Sequence, residues 1–215
     1  MPALDPPPNC QECPRLAAFR AENVLAQPAW FNGPVPTFGD LDTAELAIVG
    51  LAPGLQGANK TGRPFTGDYA GDLLYATLLA HGFANGTYSG HADDGLTLSN
   101  CIITNAVRCV PPQNKPTGLE INTCRPFLSA TLAAMPRLKV VVALGKIAHD
   151  SVVRAHGMKL SGAKFAHAAR HDLGRAKLID SYHCSRYNTN TGRLTADMFS
   201  DVFKLVTDVI AASDN

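Results

Sequence analysis

The segment of residues 46–72, LAIVGLAPGLQGANKTGRPFTGDYAGD, constrains the fold more than any other part of the chain. It starts as an apolar, β-branched run, and a helical pattern begins near Gly71. The run and the helical pattern are joined by a loop that contains Gly50, Gly54, Gly57, Gly62 and Gly67. Glycine permits positive φ angles and lets a ligand approach the main chain closely. In open α/β sheets, ligands bind at the loop between a parallel strand and the following helix. The segment therefore predicts an α/β fold with a site at this loop.

Further strands and helices alternate along the chain. Apolar runs predict strands at 46–51, 101–106, 138–144 and 177–182. Helical patterns follow them at 71–82, 119–134, 146–156 and 195–212. Continuous apolar runs such as VVVAL are typical of buried parallel strands. The alternation predicts a three-layer α/β/α fold with a central, mostly parallel sheet of four strands, formed by the whole chain, 1–215, as one domain.

Composition narrows the class of protein. No apolar run reaches the roughly 18 residues of a membrane-spanning helix. The N-terminal sequence MPALDPPPNC lacks the basic and apolar regions of a secretory signal. Both observations predict a soluble, cytoplasmic protein that does not bind a membrane. Because the net charge is only +1, any nucleic acid would bind a local basic face and not the overall field.

Six cysteines in a chain without a visible export signal favour metal or redox chemistry over a disulfide scaffold. Cys10 and Cys13 form a C-x-x-C pair at the start of a short helical segment, 10–25, and belong to an N-terminal segment, 1–25. Cys109 lies in a Pro-rich loop, and Cys124 lies early in a helical segment. Four converging thiolates hold either an iron–sulfur cluster or a tetrahedral zinc ion, and the residues alone leave both open. Four small buried side chains are the alternative.

The first loop nearly matches a nucleotide-binding P-loop, because Lys60 and Thr61 follow Gly54 at the required distance. In that motif a glycine precedes the lysine and a helix begins there, but this chain has Asn59 and continues as TGRPFTG. We therefore reject the nucleoside triphosphatase interpretation. Phe65, in a polar and Gly-rich loop, suits either packing into the core or stacking on a flat ring.

Polar side chains also follow the other strands. Asn105 and His183 each end a strand, and Asn114 lies in the loop PPQNKP. The carboxyl ends of parallel strands share one edge of the sheet, so we expect these residues to converge with Asp68. An amide offers both a donor and an acceptor, which matches the polar edge of a pyrimidine base. Asp68 is a candidate functional carboxylate, and Asp72 is the better candidate for the helix N-cap.

Three motifs resemble the iron–sulfur uracil-DNA glycosylases. They are GLAPGLQGANKTGRPFTGD, NAVRCVPPQNKPT with a later cysteine, and YHCSRYNTNTGRLT. The resemblance covers residues 10–13 and about 46–200, and it is greatest to family 5 (type b). Family 4 has an acidic residue where this chain has Leu51, and a proline where it has Cys184. Asn105 departs from this pattern, since family 4 members tend to carry asparagine there.

The resemblance implies a [4Fe-4S] cluster on Cys10, Cys13, Cys109 and Cys124, the N-terminal segment joining this site. It also implies excision of uracil and other deaminated or modified bases from double-stranded DNA, and we expect the protein to act as a monomer.

The motifs assign roles to individual residues. We expect catalytic roles for Asp68, His183 and Asn114. We expect the base to be bound by Gly50, Leu51, Ala52, Gly54, Phe65 and Asn105. We expect phosphates to be bound by Lys60, Arg63, Ser185 and Arg186. Three alternatives stay open: a non-catalytic iron–sulfur or zinc module that binds nucleic acid, a redox carrier that uses its C-x-x-C pair, and a glycosylase-like protein that captures the sugar covalently.

Overall fold

A computed structural model describes residues 3–213, so residues 1, 2, 214 and 215 of the predicted domain lie outside the described part. Strands and helices follow in the order α1 (Pro14–Ala26), β1 (Leu46–Gly50), α2 (Ala58–Thr61), α3 (Tyr69–Ala80), β2 (Ala84–Asn85), β3 (Thr97–Leu98), β4 (Cys101–Asn105), α4 (Gly118–Ala133), β5 (Val140–Leu144), α5 (Lys146–Ala155), β6 (Arg170–Asp172), β7 (Lys177–Ser181), α6 (Arg186–Asn190) and α7 (Ala196–Ala212). Among the helices described, none is long and apolar enough to cross a membrane.

The central sheet contains the four predicted strands and one more. Strands β4, β1, β5 and β7 lie parallel in that order. The fifth strand, β6, pairs antiparallel with β7 at the edge of the sheet. The predicted count of four is therefore corrected to five. The sequence of β6, Arg-His-Asp, is short and polar, so no apolar run signals it. Separately, β2 and β3 form a small antiparallel pair.

Helices cover both faces of the sheet, as expected for parallel strands that are buried on both sides. On one face, Ile48 of β1 packs in a core with Leu74 of α3 and Phe203 of α7. On the other face, Val49 packs in a second core with Val152 of α5. Fully burying a side chain of this size stabilises the fold by about 1.5–3 kcal/mol. The predicted three-layer α/β/α architecture is confirmed.

Parallel pairing brings the predicted site residues to one edge of the sheet. Gly50, the last residue of β1, is in register with Asn105, the last residue of β4. Strand β7 ends at the same edge, and the backbone N–H of Gly145, just after β5, donates to the carbonyl of Ser181. The loops after β1, β4 and β7 therefore meet at the carboxyl ends of the strands, as ligand-binding loops do in such sheets.

Candidate active site

A cavity of about 340 Å³ opens at this edge, a size typical of ligand pockets. It is lined by Leu51, Ala52, Pro53, Gly54, Phe65, Asp68, Tyr69, Ala70, Asn105, Asn114, His183, Ser185 and Arg186. The structure thus brings together all three candidate catalytic residues and five of the six candidate base-binding residues. Sequence reasoning missed Pro53, Tyr69 and Ala70, although Pro53 and Tyr69 are each adjacent in sequence to a residue that it selected.

Phe65 and His183 form one wall of the cavity. Their ring centroids lie 5.9 Å apart with an interplanar angle of 29°. Phe65 has a φ of +53°, a left-handed conformation that bulky residues rarely adopt. Gly50 lies behind this wall and does not line the cavity: a Cβ there would lie 2.6 Å from Cζ of Phe65 and 2.4 Å from Oδ1 of Asn105. The absence of a side chain at Gly50 therefore lets the phenyl ring and the amide come together.

Asn105 lines the cavity, and its buried side-chain acceptor is unsatisfied within residues 3–213. The residue is only 2% exposed, and its Oδ1 has no hydrogen-bond partner in the described part of the chain. Leaving such a group unpaired costs about 1–3 kcal/mol. The wall of the cavity therefore includes an amide whose hydrogen-bonding capacity is not fully used by the described residues.

Asp68 both caps α3 and lines the cavity. Its Oδ1 accepts a hydrogen bond of 3.0 Å from the backbone N–H of Gly71. Its Oδ2 faces two glycines, since a Cβ at Gly57 would lie 2.6 Å from it and one at Gly54 would lie 3.2 Å from it. Burial raises the pKa of this carboxyl above its usual range. The expectation that Asp72 is the N-cap was wrong, because Asp72 lies inside the first turn of α3.

His183 faces the cavity as a neutral imidazole. The residue is partly exposed as a whole, but burial of its imidazole lowers the pKa of the ring to about 4. A neutral imidazole has one N–H donor and one acceptor nitrogen. The side-chain amide of Asn188 donates to the backbone carbonyl of His183 with a distance of 2.8 Å, which fixes the loop that carries the ring.

The mouth of the cavity is polar and exposed. Asn114 lies there in the left-handed conformation, with a φ of +57°. Ser185 is the N-cap of α6, and its Oγ accepts from the backbone N–H of Asn188. Arg186 is exposed, and its guanidinium carbon lies 5.2 Å from the ring centroid of Tyr69. The mouth therefore combines a cation, a hydroxyl and an amide.

Two of the candidate phosphate ligands lie away from the cavity. Lys60 is exposed, with its Nζ 5.9 Å from the ring centroid of Trp30. Arg63 is only 5% exposed. Its guanidinium makes two hydrogen bonds of 2.8 Å to Asp94 and one of 2.7 Å to Thr66. The expectation that Arg63 contacts a phosphate is therefore contradicted, because its donors are used inside the protein.

The four predicted cysteines converge on a second, smaller site. Cys10, Cys13, Cys109 and Cys124 together line a narrow cavity of about 20 Å³ between α1 and α4. No three of these described sulfurs lie within 4.8 Å of one another. A tetrahedral zinc ion with Zn–S bonds of about 2.3 Å would hold its sulfurs about 3.8 Å apart. The described sulfurs therefore do not have the spacing of a formed tetrahedral zinc site.

Protein groups around these sulfurs fit an anionic cluster. The guanidinium of Arg20 donates to the Sγ of Cys109 at 3.6 Å, and the backbone N–H of Arg108 donates to the Sγ of Cys124 at 3.4 Å. Burial raises the pKa of Cys13 to about 11 and that of Cys109 to about 12. Thiolates held here therefore need a compensating metal charge. Hydrogen bonds to sulfur are a usual feature of iron–sulfur sites.

Comparison with known proteins decides the family. The family model of the uracil-DNA glycosylase superfamily matches residues 36–207. The chain belongs to this superfamily. It is 44% identical to the type-5 uracil-DNA glycosylase of Thermus thermophilus over 90% of each chain. It is 38% identical to the type-5 enzyme of Pyrobaculum aerophilum over 91% of this chain and 87% of the relative. The type-4 enzyme of Thermotoga maritima is 33% identical over 81% and 83%, respectively. The resemblance to the type-5 branch is confirmed.

In this member of the uracil-DNA glycosylase superfamily, sequence reasoning missed a buried group of titratable residues outside the site. Asp180 of β7 bonds Nδ1 of His149 at 2.7 Å through one oxygen and Nε2 of His171 at 3.0 Å through the other. Nε2 of His149 bonds the carbonyl of Ala163 at 2.9 Å. A carbonyl only accepts, so Nε2 of His149 donates; facing an ionised Asp180, Nδ1 donates as well, and the ring then carries a positive charge.

Proposed function

We propose that the protein removes uracil, and other deaminated bases such as hypoxanthine, from double-stranded DNA and leaves an abasic site. Two relatives that it matches over 90% and 87% of their length are named uracil-DNA glycosylases, which supports uracil as the base. The single observation that carries the assignment of the site is one cavity lined by Phe65, Asp68, Asn105 and His183. We also propose that residues 1–215 act as one domain, in monomeric form, in the cytoplasm.

The base would reach the cavity by extrusion from the duplex. Unstacking costs a few kcal/mol and costs least at a mismatched U·G pair, which favours damaged sites. Phe65 would stack on the extruded base, a contact worth about 1–3 kcal/mol. The side-chain amide of Asn105 would bond the polar edge of the base. Leu51, Ala52 and Gly54 would line the other side.

Hydrolysis of the N-glycosidic bond separates charge across the cavity. As the C1′–N bond breaks, positive charge develops on the sugar and the base leaves with the electron pair. The Asp68 carboxylate would stabilise the sugar cation or orient the water whose oxygen bonds to C1′. The neutral His183 would donate a hydrogen bond to the negatively charged base, together with backbone N–H groups of the Gly50–Gly54 turn. Each such preorganised donor is worth about 100- to 1,000-fold in rate.

The DNA backbone would follow the exposed mouth of the cavity. Arg186 and Ser185 would bind the phosphates next to the extruded nucleotide, and Lys60 would bind a more distant phosphate. Asn114, exposed at the mouth, would orient the base or the attacking water. Arg63 has no part in this proposal because Asp94 holds it inside the protein.

We also propose that Cys10, Cys13, Cys109 and Cys124 hold a [4Fe-4S] cluster. When bound, the cluster would cross-link the N-terminal segment to the loop that ends at α4. The chain's own residues support the same connection, since Arg15 of α1 forms an ion pair of 2.7 Å with Glu120 of α4. This arrangement would hold the loop of Asn114 at the mouth of the cavity.

A cleavage assay on labelled duplexes tests the function. Duplexes with a single uracil or hypoxanthine, and a matched duplex with thymine, are incubated with the protein, treated with hot alkali and separated by size. An alkali-cleaved strand from the uracil and hypoxanthine duplexes supports the proposal. An intact but gel-shifted duplex would indicate a binding module, and an alkali-stable adduct would indicate covalent capture of the sugar.

Iron and sulfide analysis of the wild type and of Cys109→Ser tests the cluster, and bound zinc without iron would contradict it.

A further inference from the structure

A turn-rich segment that lies outside the cavity contacts the loop that carries Phe65. We call residues 84–98, which include β2 and β3, the insert. The hydroxyl of Tyr88 in the insert accepts a hydrogen bond from the backbone N–H of Gly67 at 3.2 Å. The same hydroxyl donates to the backbone carbonyl of Phe65 at 3.3 Å. One side chain of the insert therefore bonds the loop on both sides of Thr66.

A buried ion pair joins the insert to the same loop. Asp94 forms two hydrogen bonds with the guanidinium of Arg63, and both side chains are shielded from solvent. Asp94 also accepts from the backbone N–H groups of Ser89 and Leu96, so it shapes the insert itself. The Nε of Arg63 then donates to Thr66 at 2.7 Å. The ion pair therefore fixes the middle of the loop relative to the insert.

Two stacked tyrosines complete the support. The rings of Tyr75 and Tyr88 lie 4.5 Å apart at an angle of 24°. The hydroxyl of Tyr75 donates to the carbonyl of Pro64 at 2.6 Å. Each residue from 64 to 67 is thus held by a polar contact from Arg63, Tyr75 or Tyr88.

The loop needs this support because its conformation is strained. Phe65 has a positive φ, and such conformations persist only where their surroundings enforce them. The loop also lies directly against α3, since a Cβ at Gly71 would lie 1.8 Å from the carbonyl oxygen of Phe65 and 2.7 Å from the hydroxyl of Tyr88. Asp68 directly follows residues 64–67 in the sequence. The contacts of Tyr88 therefore set the position of both Phe65 and Asp68.

We propose that Tyr88 is a positioning residue for base excision, whose hydroxyl holds residues 65–67 so that the ring of Phe65 and the carboxylate of Asp68 face the cavity together. Tyr88 does not line the cavity itself. The proposal rests on the roles proposed above for Phe65 and Asp68.

The test is Tyr88→Phe, which keeps the stacked ring and removes only the hydroxyl. Misplacing a reacting group by about 1 Å costs up to about 100-fold in rate, so we expect the single-turnover excision rate at saturating enzyme to fall about 10- to 100-fold. Affinity for a duplex with a 2′-fluorinated uridine, which resists cleavage, should stay within about twofold. The control is Ser99→Ala, which removes a hydroxyl that bonds Asn85 of the insert and leaves the loop untouched.

A wild-type rate in Tyr88→Phe would overturn the proposal. An equal fall in the excision rate of Ser99→Ala would also overturn it, because the effect would then report only the stability of the insert. Thermal melting of both variants measures that stability. Asp68→Asn in the same assay separates this outcome from a failure of the proposed site. If Asp68→Asn loses activity and Tyr88→Phe does not, only the positioning role fails; if neither loses activity, the assignment of the site fails.

Discussion

The ring of Phe65 and the imidazole of His183 lie 5.9 Å apart and within 29° of parallel, although their loops follow strands that are not neighbours in the sheet. Strand β5 lies between β1 and β7. The contact exists because parallel strands end at one edge and because Gly50, at the end of β1, has no side chain to meet the ring of Phe65. Two loops therefore build one wall of the cavity, and a change in either displaces it.

Gly50→Ala tests this dependence. The added methyl group would meet the ring of Phe65 at 2.6 Å and the amide of Asn105 at 2.4 Å, so one of them must move. We expect the single-turnover excision rate to fall about 100-fold, the size of effect that a displacement of about 1 Å produces. Gly162→Ala is the matched control, because a Cβ there meets no atom within 4 Å and the residue has no positive φ. Equal activity of the two variants would show that the wall is not needed.

Arg186→Ala tests the contact with phosphate at the mouth of the cavity. Its guanidinium is exposed and lies over Tyr69, where it is free to reach a phosphate. We expect weaker binding to all duplex sequences, and a slope of log affinity against log salt that is smaller by about 1. The measurement is a salt titration of duplex binding by fluorescence anisotropy. Lys204→Ala on α7, which removes a cation paired with Asp201, is the control and should leave the slope unchanged.

The excision rate should depend on pH through Asp68. Burial raises the pKa of this carboxyl, and the role proposed for Asp68 requires its carboxylate form. The rate should therefore rise with pH as Asp68 ionises, at a pH above the usual range for aspartate. His183 is neutral above its own pKa of about 4. Single-turnover rates across the acid range measure the rise, and its persistence in Asp68→Asn would contradict its assignment to Asp68.

The pair of His149 and Asp180 should make stability depend on pH. Burial alone lowers the pKa of His149, but its hydrogen bonds to Asp180 and Ala163 outweigh burial and raise it. A raised pKa in the folded state contributes stability that is fully present below the unfolded pKa of about 6.5 and is lost as pH rises through the folded value.

Urea unfolding of the wild type and of His149→Gln between about pH 5 and pH 9 measures this contribution. The difference in unfolding free energy between the two proteins should shrink as pH rises. Comparing the two proteins removes the opposite contributions of His81 and His167, whose pKa values burial lowers. A difference that grows with pH would contradict a positive charge on His149.

The sequence predicted what depends on local patterns. Apolar runs located the four parallel strands, and their order along the chain placed the candidate site at one edge of the sheet. Residues that follow strands, such as Asn105 and His183, were found because strand ends share an edge. The C-x-x-C pair and two cysteines near a Pro-rich loop indicated a metal or cluster site, the resemblance implied which four share it, and the structure brings the four together.

The sequence could not predict what depends on distant partners. Arg63 looked like a phosphate ligand beside Phe65, but Asp94, which comes 31 residues later, holds it inside the protein. Asp72 looked like the N-cap of α3, yet the helix begins earlier and Asp68 caps it. One carboxylate oxygen of Asp68 forms the cap, and the other faces the glycines of the first loop. The short polar strand β6 depends on pairing with β7 and on His171 reaching Asp180. None of these contacts leaves a periodic pattern.

The single-turnover rate of uracil excision by Asp68→Asn tests the central claim most directly. Asparagine caps a helix as well as aspartate does, so α3 and the cavity should keep their structure while the negative charge is lost. We expect the rate to fall by at least about 100-fold relative to the wild type, with affinity for the uracil-containing duplex nearly unchanged. A rate equal to that of the wild type would contradict the claim that this carboxylate, gathered with Phe65, Asn105 and His183 around one cavity, drives the reaction.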